Sequence, residues 1–389
     1  MIALWYPKTP SFSTMIVWYL TTLTYPSTLA NRLQVMKMTE AFSRHAVVTL
    51  WVASMGDKKK EVLESYGVKG DIAIKELPVA SGILWPRSFF RALAFRRIVR
   101  EAPPQTVFYT RDVLLAFFLS FLSPRFRNNF FFECHSLGKF PDFIYQKVFR
   151  AARGVISTNQ GKVRVIREKY GINEDRIFAA GNAFDEHFSP SLPRQDARKE
   201  VDWPQDRRIV LYVGSTQAWK GADMLEELSY KMKDVLFIVL GASQEKKTGN
   251  YWALLPVQYH EVPKYLRAAD VLLAPYRQDS ERANFFFSPI KIMEYRASGT
   301  PIIATKLGSI EEIFGDEVVR EEISAEFPSI KLVRATAGDF QAALEKLFTQ
   351  YKDVQERRER QALENREKYL RSSWNGRAVL VKQFIERFK

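Results

Sequence analysis

Short β-branched and aromatic runs alternate along the chain with segments whose apolar residues recur at helical spacing. Met15–Thr22 suits a strand, and Leu29–Phe42 follows as a helix, with Leu33, Met36, Met38 and Phe42 on its apolar face. Val47–Val52, Thr106–Thr110, Phe130–Glu133 and Gly154–Ser157 read as further strands. The character changes over Phe188–Asp206, where Pro190, Pro193 and Pro204 stand among charges, and this stretch reads as a linker. The alternation then resumes. Arg208–Gly214, Val235–Gly241, Val271–Pro275 and Pro301–Thr305 are predicted strands, and Asp223–Lys233, Val262–Ala269 and Ser288–Ala297 predicted helices. The pattern predicts an α/β protein of two Rossmann-like halves facing across a cleft, with ligands at the carboxyl ends of the strands.

Composition narrows this. A chain of 389 residues accommodates two domains of ordinary size. The formal net charge of +14 calls for an anionic partner: nucleic acid, anionic lipid or a phosphorylated substrate. The single cysteine, Cys134, excludes an intrachain disulfide and a cysteine zinc site, and fits a reducing, cytoplasmic setting. The four histidines have no metal-ligand spacing, so no metal is expected. Met1–Pro10 lacks the pattern of a signal peptide. The longest apolar run, Val113–Leu122, is about half the length that a membrane-spanning helix needs. The expectation is a soluble or peripheral protein.

Two segments point to phosphate chemistry. In Phe287-Ser288-Pro289-Ile290-Lys291-Ile292-Met293-Glu294, Ser288 is a suitable helix N-cap and Pro289 a suitable first helical residue. Lys291 then falls in the first turn, where a cation opposes the helix dipole unless an anion sits at the helix end. Glu294, one turn on, suits a ribose diol. A capped surface helix accounts for the same residues equally well. In the second segment, Gly214-Ser215 ends a strand and Trp219-Lys220-Gly221 precedes the next helix. Together Lys220 and Lys291 form a candidate clamp for a diphosphate.

The second half resembles the family-4 retaining glycosyltransferases. The resemblance rests on Tyr212-Val213-Gly214, Trp219-Lys220-Gly221, Ala268-Ala269-Asp270-Val271, Ser288-Pro289-Ile290-Lys291, Glu294-Tyr295, Ser298-Gly299-Thr300-Pro301, and Gly308-Ser309 with Glu311-Glu312. Gly181-Asn182-Ala183-Phe184-Asp185 and Phe188-Ser189-Pro190 are similar to that family's interdomain junction. In the first half, Ala30-Asn31, Gln34–Met38, Tyr109–Asp112 and Glu133-Cys134-His135 look alike too. The resemblance implies a GT-B fold: an acceptor-binding domain over residues 1–187, a nucleotide-sugar-binding domain over 188–370, and a terminal helix in 371–389 crossing back to the first domain. It implies a hexosyltransferase that moves a sugar with retention from a nucleotide diphosphate sugar to a glycan or lipid-linked acceptor in cell-surface polysaccharide or glycoconjugate synthesis. No metal or other cofactor is implied. His135, Lys220 and Lys291 take the catalytic places. Gly214, Ser215, Ser288, Pro289, Ile290 and Glu294 join the lysines around the donor, and Asn31 and His135 face the acceptor. Two positions depart from the family. Phe286 stands where a first glutamate usually lies, eight residues before Glu294, and Ser215 stands where an arginine is common.

Other readings remain open at this level. A GT-B-fold nucleotide-sugar epimerase would need acid and base side chains in the cleft, where only His135 is well placed. A non-catalytic nucleotide-binding protein fits the two departures, and a basic nucleic-acid-binding protein fits the charge. No nucleic-acid motif is present, so that partner is not expected. Arg111 and Asp112 read as an ion pair. Ile83–Arg100 carries five arginines and no acid, which reads either as a helix packed on its own domain or as one lying on an anionic membrane face. In the second case Trp85, Arg87, Phe89, Phe90, Arg91, Arg96 and Arg97 are the expected contacts, with Phe95 beside them.

Overall fold

The computed structural model describes residues 15–27, 29–57, 59–70, 72–77, 87–189, 192–277, 288–315, 330–350 and 370–388. Two seven-stranded sheets organise it. The first is built from β1 (Ile16–Leu20), β2 (Val47–Val52), β3 (Ala73–Glu76), β4 (Thr106–Thr110), β5 (Phe130–Cys134), β6 (Gly154–Ser157) and β7 (Ile177–Ala179), in the order β3-β2-β1-β4-β5-β6-β7. All its pairings are parallel. The second contains β8 (Arg208–Val213), β9 (Val235–Leu240), β10 (Lys246–Thr248), β11 (Tyr251–Leu254), β12 (Val271–Ala274), β13 (Ile302–Thr305) and β14 (Ile330–Val333), in the order β10-β11-β9-β8-β12-β13-β14. Only the β10–β11 edge is antiparallel.

Parallel sheets need helices on both faces, and the central strands accordingly read as unbroken apolar runs. β4, β5, β9 and β12 are buried at every residue. The strand order reverses between β1 and β4 in the first sheet and between β8 and β12 in the second. These are the switch points, where the crossover helices leave to opposite faces and open a crevice for a ligand.

The stretch expected to be a linker is largely structured. Arg194–Glu200 is a helix that packs on the helix Val262–Ala268, with Ala197 and Trp203 in the second core. Asp270 holds it: Arg198 lies 2.6 Å from one carboxylate oxygen and Arg194 2.6 Å from the other, and the Ile209 N–H also donates to Asp270. Pro193 takes the cap position of this helix, and of its charges Arg198 is buried against Asp270. The chain returns at its end. The helix Trp374–Glu386 packs against Ala30–Ser43, and Trp374, Ala378, Val381, Phe384 and Ile385 join the first domain's core. Its start is pinned beside the outgoing chain by the Phe184–Ser373 bridge and the Trp374 N–H donating to the Phe184 carbonyl at 2.9 Å. Among the described residues no helix is long and apolar enough to cross a membrane.

Candidate active site in the interdomain cleft

The second switch point is built by close backbone approach. Gly214 follows β8 with φ +135°, and a Cβ there would press on the Lys291 side chain at 3.3 Å. Gly241 follows β9 with φ +113°, and its Cβ would meet the Gly214 carbonyl oxygen at 2.7 Å. Gly221, at φ +69°, lies against the Pro275 carbonyl, which a Cβ would overlap. Only glycine permits these contacts, and they bring three loop ends around the start of the helix Ile290–Ser298.

That helix begins without a side-chain cap and without an acid in its first turn. The expected N-cap assignment is corrected here. Pro289, not Ser288, occupies the cap position, because Asn182 claims Ser288 from the first domain's side. The Asn182 backbone N–H donates to the Ser288 hydroxyl at 3.1 Å, and the Asn182 amide donates to the Ser288 carbonyl at 2.6 Å. Ile290 packs into the first domain's core cluster, so the helix tip sits at the domain boundary.

Lys291 points back under this tip. Its ammonium is buried without a hydrogen-bond partner, 3.7 Å from the centre of the Tyr212 ring and 5.2 Å from that of Tyr276. Burial, and next the charge of Lys220, hold its pKa well below the ordinary lysine range, against the pull of Glu294. The Lys220 ammonium donates to the Ser215 hydroxyl at 2.7 Å, and burial lowers its pKa too. Two repelling ammoniums beside an uncapped helix end make a site that an anion completes. Glu294 accepts from the Tyr259 hydroxyl at 2.9 Å, and burial raises its pKa to about 7. Tyr259 touches His187 and Phe188, and Lys37 stands over its ring at 5.7 Å. Lys37 in turn pairs with Glu40 and Asp185. Glu294 is thereby linked to the first domain through buried side chains.

Across the cleft, Glu133 is the hub. Fully buried, it accepts from Gln34 at 3.0 Å, Tyr109 at 2.7 Å, His135 at 2.9 Å and Arg377 at 2.6 Å. A carboxylate only accepts, so the His135 Nε2 carries the proton and Nδ1 keeps a lone pair. Burial, and next the Arg111 charge, push the His135 pKa down to about 3, so the ring is neutral at ordinary pH. The partner of the His135 ring is thus a side-chain carboxylate and not the loop backbone. Nor do Arg111 and Asp112 pair with each other. Arg111 donates to Gln34, while Asp112 caps the helix Val113–Leu122 through the Leu115 N–H and accepts from Thr22. Asn31 lies in the first turn of the helix Ala30–Ser43 behind Leu29 at the cap, and accepts from Arg32 at 3.0 Å.

The basic segment forms the helix Arg87–Glu101. Trp85 and the Arg87 side chain lie outside the described residues, as do Phe286 and its neighbours. Phe95 is fully buried, so it is not free to meet a membrane, and Arg91 is half-buried and donates to the Thr22 carbonyl. Arg96 and Arg97 are exposed, and Phe90 is 39% exposed. Phe89 packs on Phe118, and the ring contacts continue through Phe117 to Phe121 and Phe143, which are 59% and 63% exposed. Sequence reasoning missed this aromatic continuation. It also missed Tyr276 and Tyr259, which look like core tyrosines, the place of the Tyr212 ring beneath Lys291, and Arg377, which lies far along the chain from Glu133. No local pattern marks any of them.

Comparison with known proteins agrees with the geometry. Residues 207–350 match the family model described as glycosyl transferases group 1. A D-inositol 3-phosphate glycosyltransferase of Xylanimonas cellulosilytica is 25% identical over 195 residues, covering 44% of this chain and 45% of that one. The match thus spans less than half the length of that curated relative. A glycosyltransferase from Rickettsia africae superposes with a TM-score of 0.72 at 15% identity, over 97% of this chain and 99% of the other. Anabaena HepE, solved with UDP and glucose, superposes with a TM-score of 0.67 at 13% identity, over 96% and 99%. The protein is a two-domain molecule of the GT-B fold whose second domain is similar to the group 1 glycosyl transferases.

Proposed function

We propose that this chain is a retaining glycosyltransferase that moves a hexosyl group from a nucleotide diphosphate sugar to a glycan or lipid-linked acceptor. The observation that carries the reading is the Lys291 ammonium, buried without a hydrogen-bond partner beneath an uncapped helix end and facing a second lysine. A diphosphate there is held by both ammoniums and by free helix N–H groups. When the sugar–phosphate bond breaks, charge grows on the leaving diphosphate, and donors already aimed at it stabilise that charge. The lysines thus supply the positive charge in the absence of any metal requirement. Glu294 reads the ribose. Neutral His135 offers its Nδ1 lone pair to the acceptor hydroxyl or the donor sugar, while Glu133 fixes the ring. No side chain is assigned as a nucleophile; attack on the same face, with the donor phosphate taking the acceptor proton, fits the residues present. The UDP and glucose held by the HepE structure are of the substrate class proposed.

The test is a thermal-shift screen against UDP, GDP, ADP and their sugars. A ligand at about a hundred times its Kd stabilises by about 2.7 kcal/mol. One nucleotide should give that shift, and Lys220→Ala and Lys291→Ala should each weaken its binding by about 1.5–3 kcal/mol. If both variants bind as well as the wild type, the clamp is wrong. Release of nucleotide diphosphate on adding acceptor separates a transferase from a protein that only binds.

A peripheral docking at the inner face of the membrane is part of the proposal. The exposed rings of Phe90, Phe121 and Phe143 lie among Arg96, Arg97, Arg100, Lys147 and Arg150 on three neighbouring helices. Aromatic rings flanked by cations suit an anionic lipid surface, which would hold the first domain over a lipid-linked acceptor.

A further inference from the structure

Tyr259 gives its hydroxyl hydrogen to the Glu294 Oε1 at 2.9 Å, and among the described residues no other group donates to that carboxylate. Tyr259 opens the 3-10 turn Tyr259–Glu261, which follows β11, and its ring is seated from outside its own domain. His187 and Phe188 of the interdomain junction lie against it, with ring centres at 5.6 and 5.3 Å. Gly67, just past the first-domain helix Lys59–Ser65, lies so close that a Cβ on it would stand 3.7 Å from the Tyr259 ring. Lys37 donates to the Gly67 carbonyl at 2.6 Å, and its ammonium stands over the same ring. A ring held on several sides leaves its hydroxyl little freedom, and the carboxylate that accepts from it is held in one orientation as well. The charges agree. Burial pushes Glu294 up to about 7, and the Tyr259 hydrogen bond is the largest pull in the other direction. Asp185 adds to the rise and Lys291 opposes it, while burial holds the neighbouring phenols of Tyr276 and Tyr295 well above their ordinary range, so they stay neutral. Burial, and next the Glu294 charge, keep the proton on Tyr259. The phenol therefore donates at any working pH and favours the ionised carboxylate, which is the form that accepts from a pair of hydroxyls.

We propose that Tyr259 is a positioning residue for ribose recognition: it aims the Glu294 carboxylate at the ribose diol of the donor and acts through Glu294 alone. This rests on the nucleotide-sugar reading and names what sets its preference for ribose. Tyr259 belongs to the second domain, but the groups that seat its ring come from the first domain and the junction. The preference is thus fixed by how the two halves meet.

The experiment uses the full chain and follows binding of UDP and 2′-deoxy-UDP by calorimetry on both sides of pH 7, with GDP or ADP and their deoxy forms instead where the thermal-shift screen selects that base. The ratio of the two affinities cancels the titration of the phosphates and of the two lysines. In the wild type it should favour UDP increasingly as pH rises through about 7, because the Glu294 carboxylate forms there. Tyr259→Phe keeps the ring and removes the hydroxyl. It should weaken UDP by about tenfold above that pH and leave 2′-deoxy-UDP bound as tightly as before, which also shows that the variant folds. It should move the midpoint of the ratio to higher pH, since the group that favoured the ionised form is gone. In Glu294→Ala, adding Tyr259→Phe should change nothing further. The inference is overturned by a wild-type ratio that is flat with pH, by equal losses of UDP and 2′-deoxy-UDP in Tyr259→Phe, by an unchanged midpoint, or by additive losses in the double variant. If the wild type binds none of the three nucleotides, the donor reading fails and this inference falls with it; nucleotide binding that ignores Tyr259→Phe sinks the inference alone.

Discussion

Glu294 and His135 shift in opposite directions for one reason: burial favours the uncharged form of each. The signs give separate pH behaviour. Glu294 is raised to about 7, so its contribution to stability is complete below the unfolded carboxyl pKa and is lost as pH rises through about 7. Glu294→Gln removes that loss. The variant should gain on the wild type by up to about 3 kcal/mol between about pH 5 and about pH 8 in chemical denaturation. If the difference is flat with pH, the carboxyl is not titrating in the fold. The same substitution should weaken a ribonucleotide more than its 2′-deoxy analogue. His135, lowered to about 3, loses its contribution as pH falls from the ordinary histidine range through about 3. Turnover should therefore show no titration step near 6.5 from this ring. His135→Ala should reduce turnover by about a hundredfold while donor binding holds; normal turnover would leave the ring a purely structural role.

At the scale of elements, most strands were readable because buried parallel strands leave continuous apolar runs, and the predicted ends of β2, β4 and β6 agree with the structure. What escaped has a common physical cause: partners distant in sequence. The helix Arg194–Glu200 looked like a linker since its anchor, Asp270, lies beyond four further strands. Asp270→Ala should destabilise the protein by about 3–5 kcal/mol, because it leaves the buried Arg198 guanidinium uncompensated. Retained stability in denaturant melts would show that Arg198 finds water instead. Ser288 looked like a cap because cap chemistry is local, whereas Asn182 comes from the other end of the interdomain junction. The place of Lys291 in the first turn of its helix was legible, as the dipole argument needs only local sequence. The aromatic floor beneath Lys291 was not, since tyrosines at strand ends look like core. Gly221→Ala should abolish the nucleotide-induced thermal shift, as its Cβ would displace the Pro275 carbonyl.

For the whole molecule, the net charge of +14 gave no indication of where the charge would act. The structure divides part of it between a cleft with lysines on one wall and arginines on the other, and an outer face of rings and cations. That face gives a measurable expectation. Wild-type protein should sediment with anionic vesicles at low salt and be released at high salt. Arg96→Glu with Arg97→Glu, or Phe121→Ser with Phe143→Ser, should abolish sedimentation. Protein that stays in the supernatant under all conditions would point to a soluble acceptor.

The chain passes between the two halves twice, and the two passages lie side by side at Phe184 and Ser373. Any rearrangement of one half relative to the other therefore has to bend both passages together at this point.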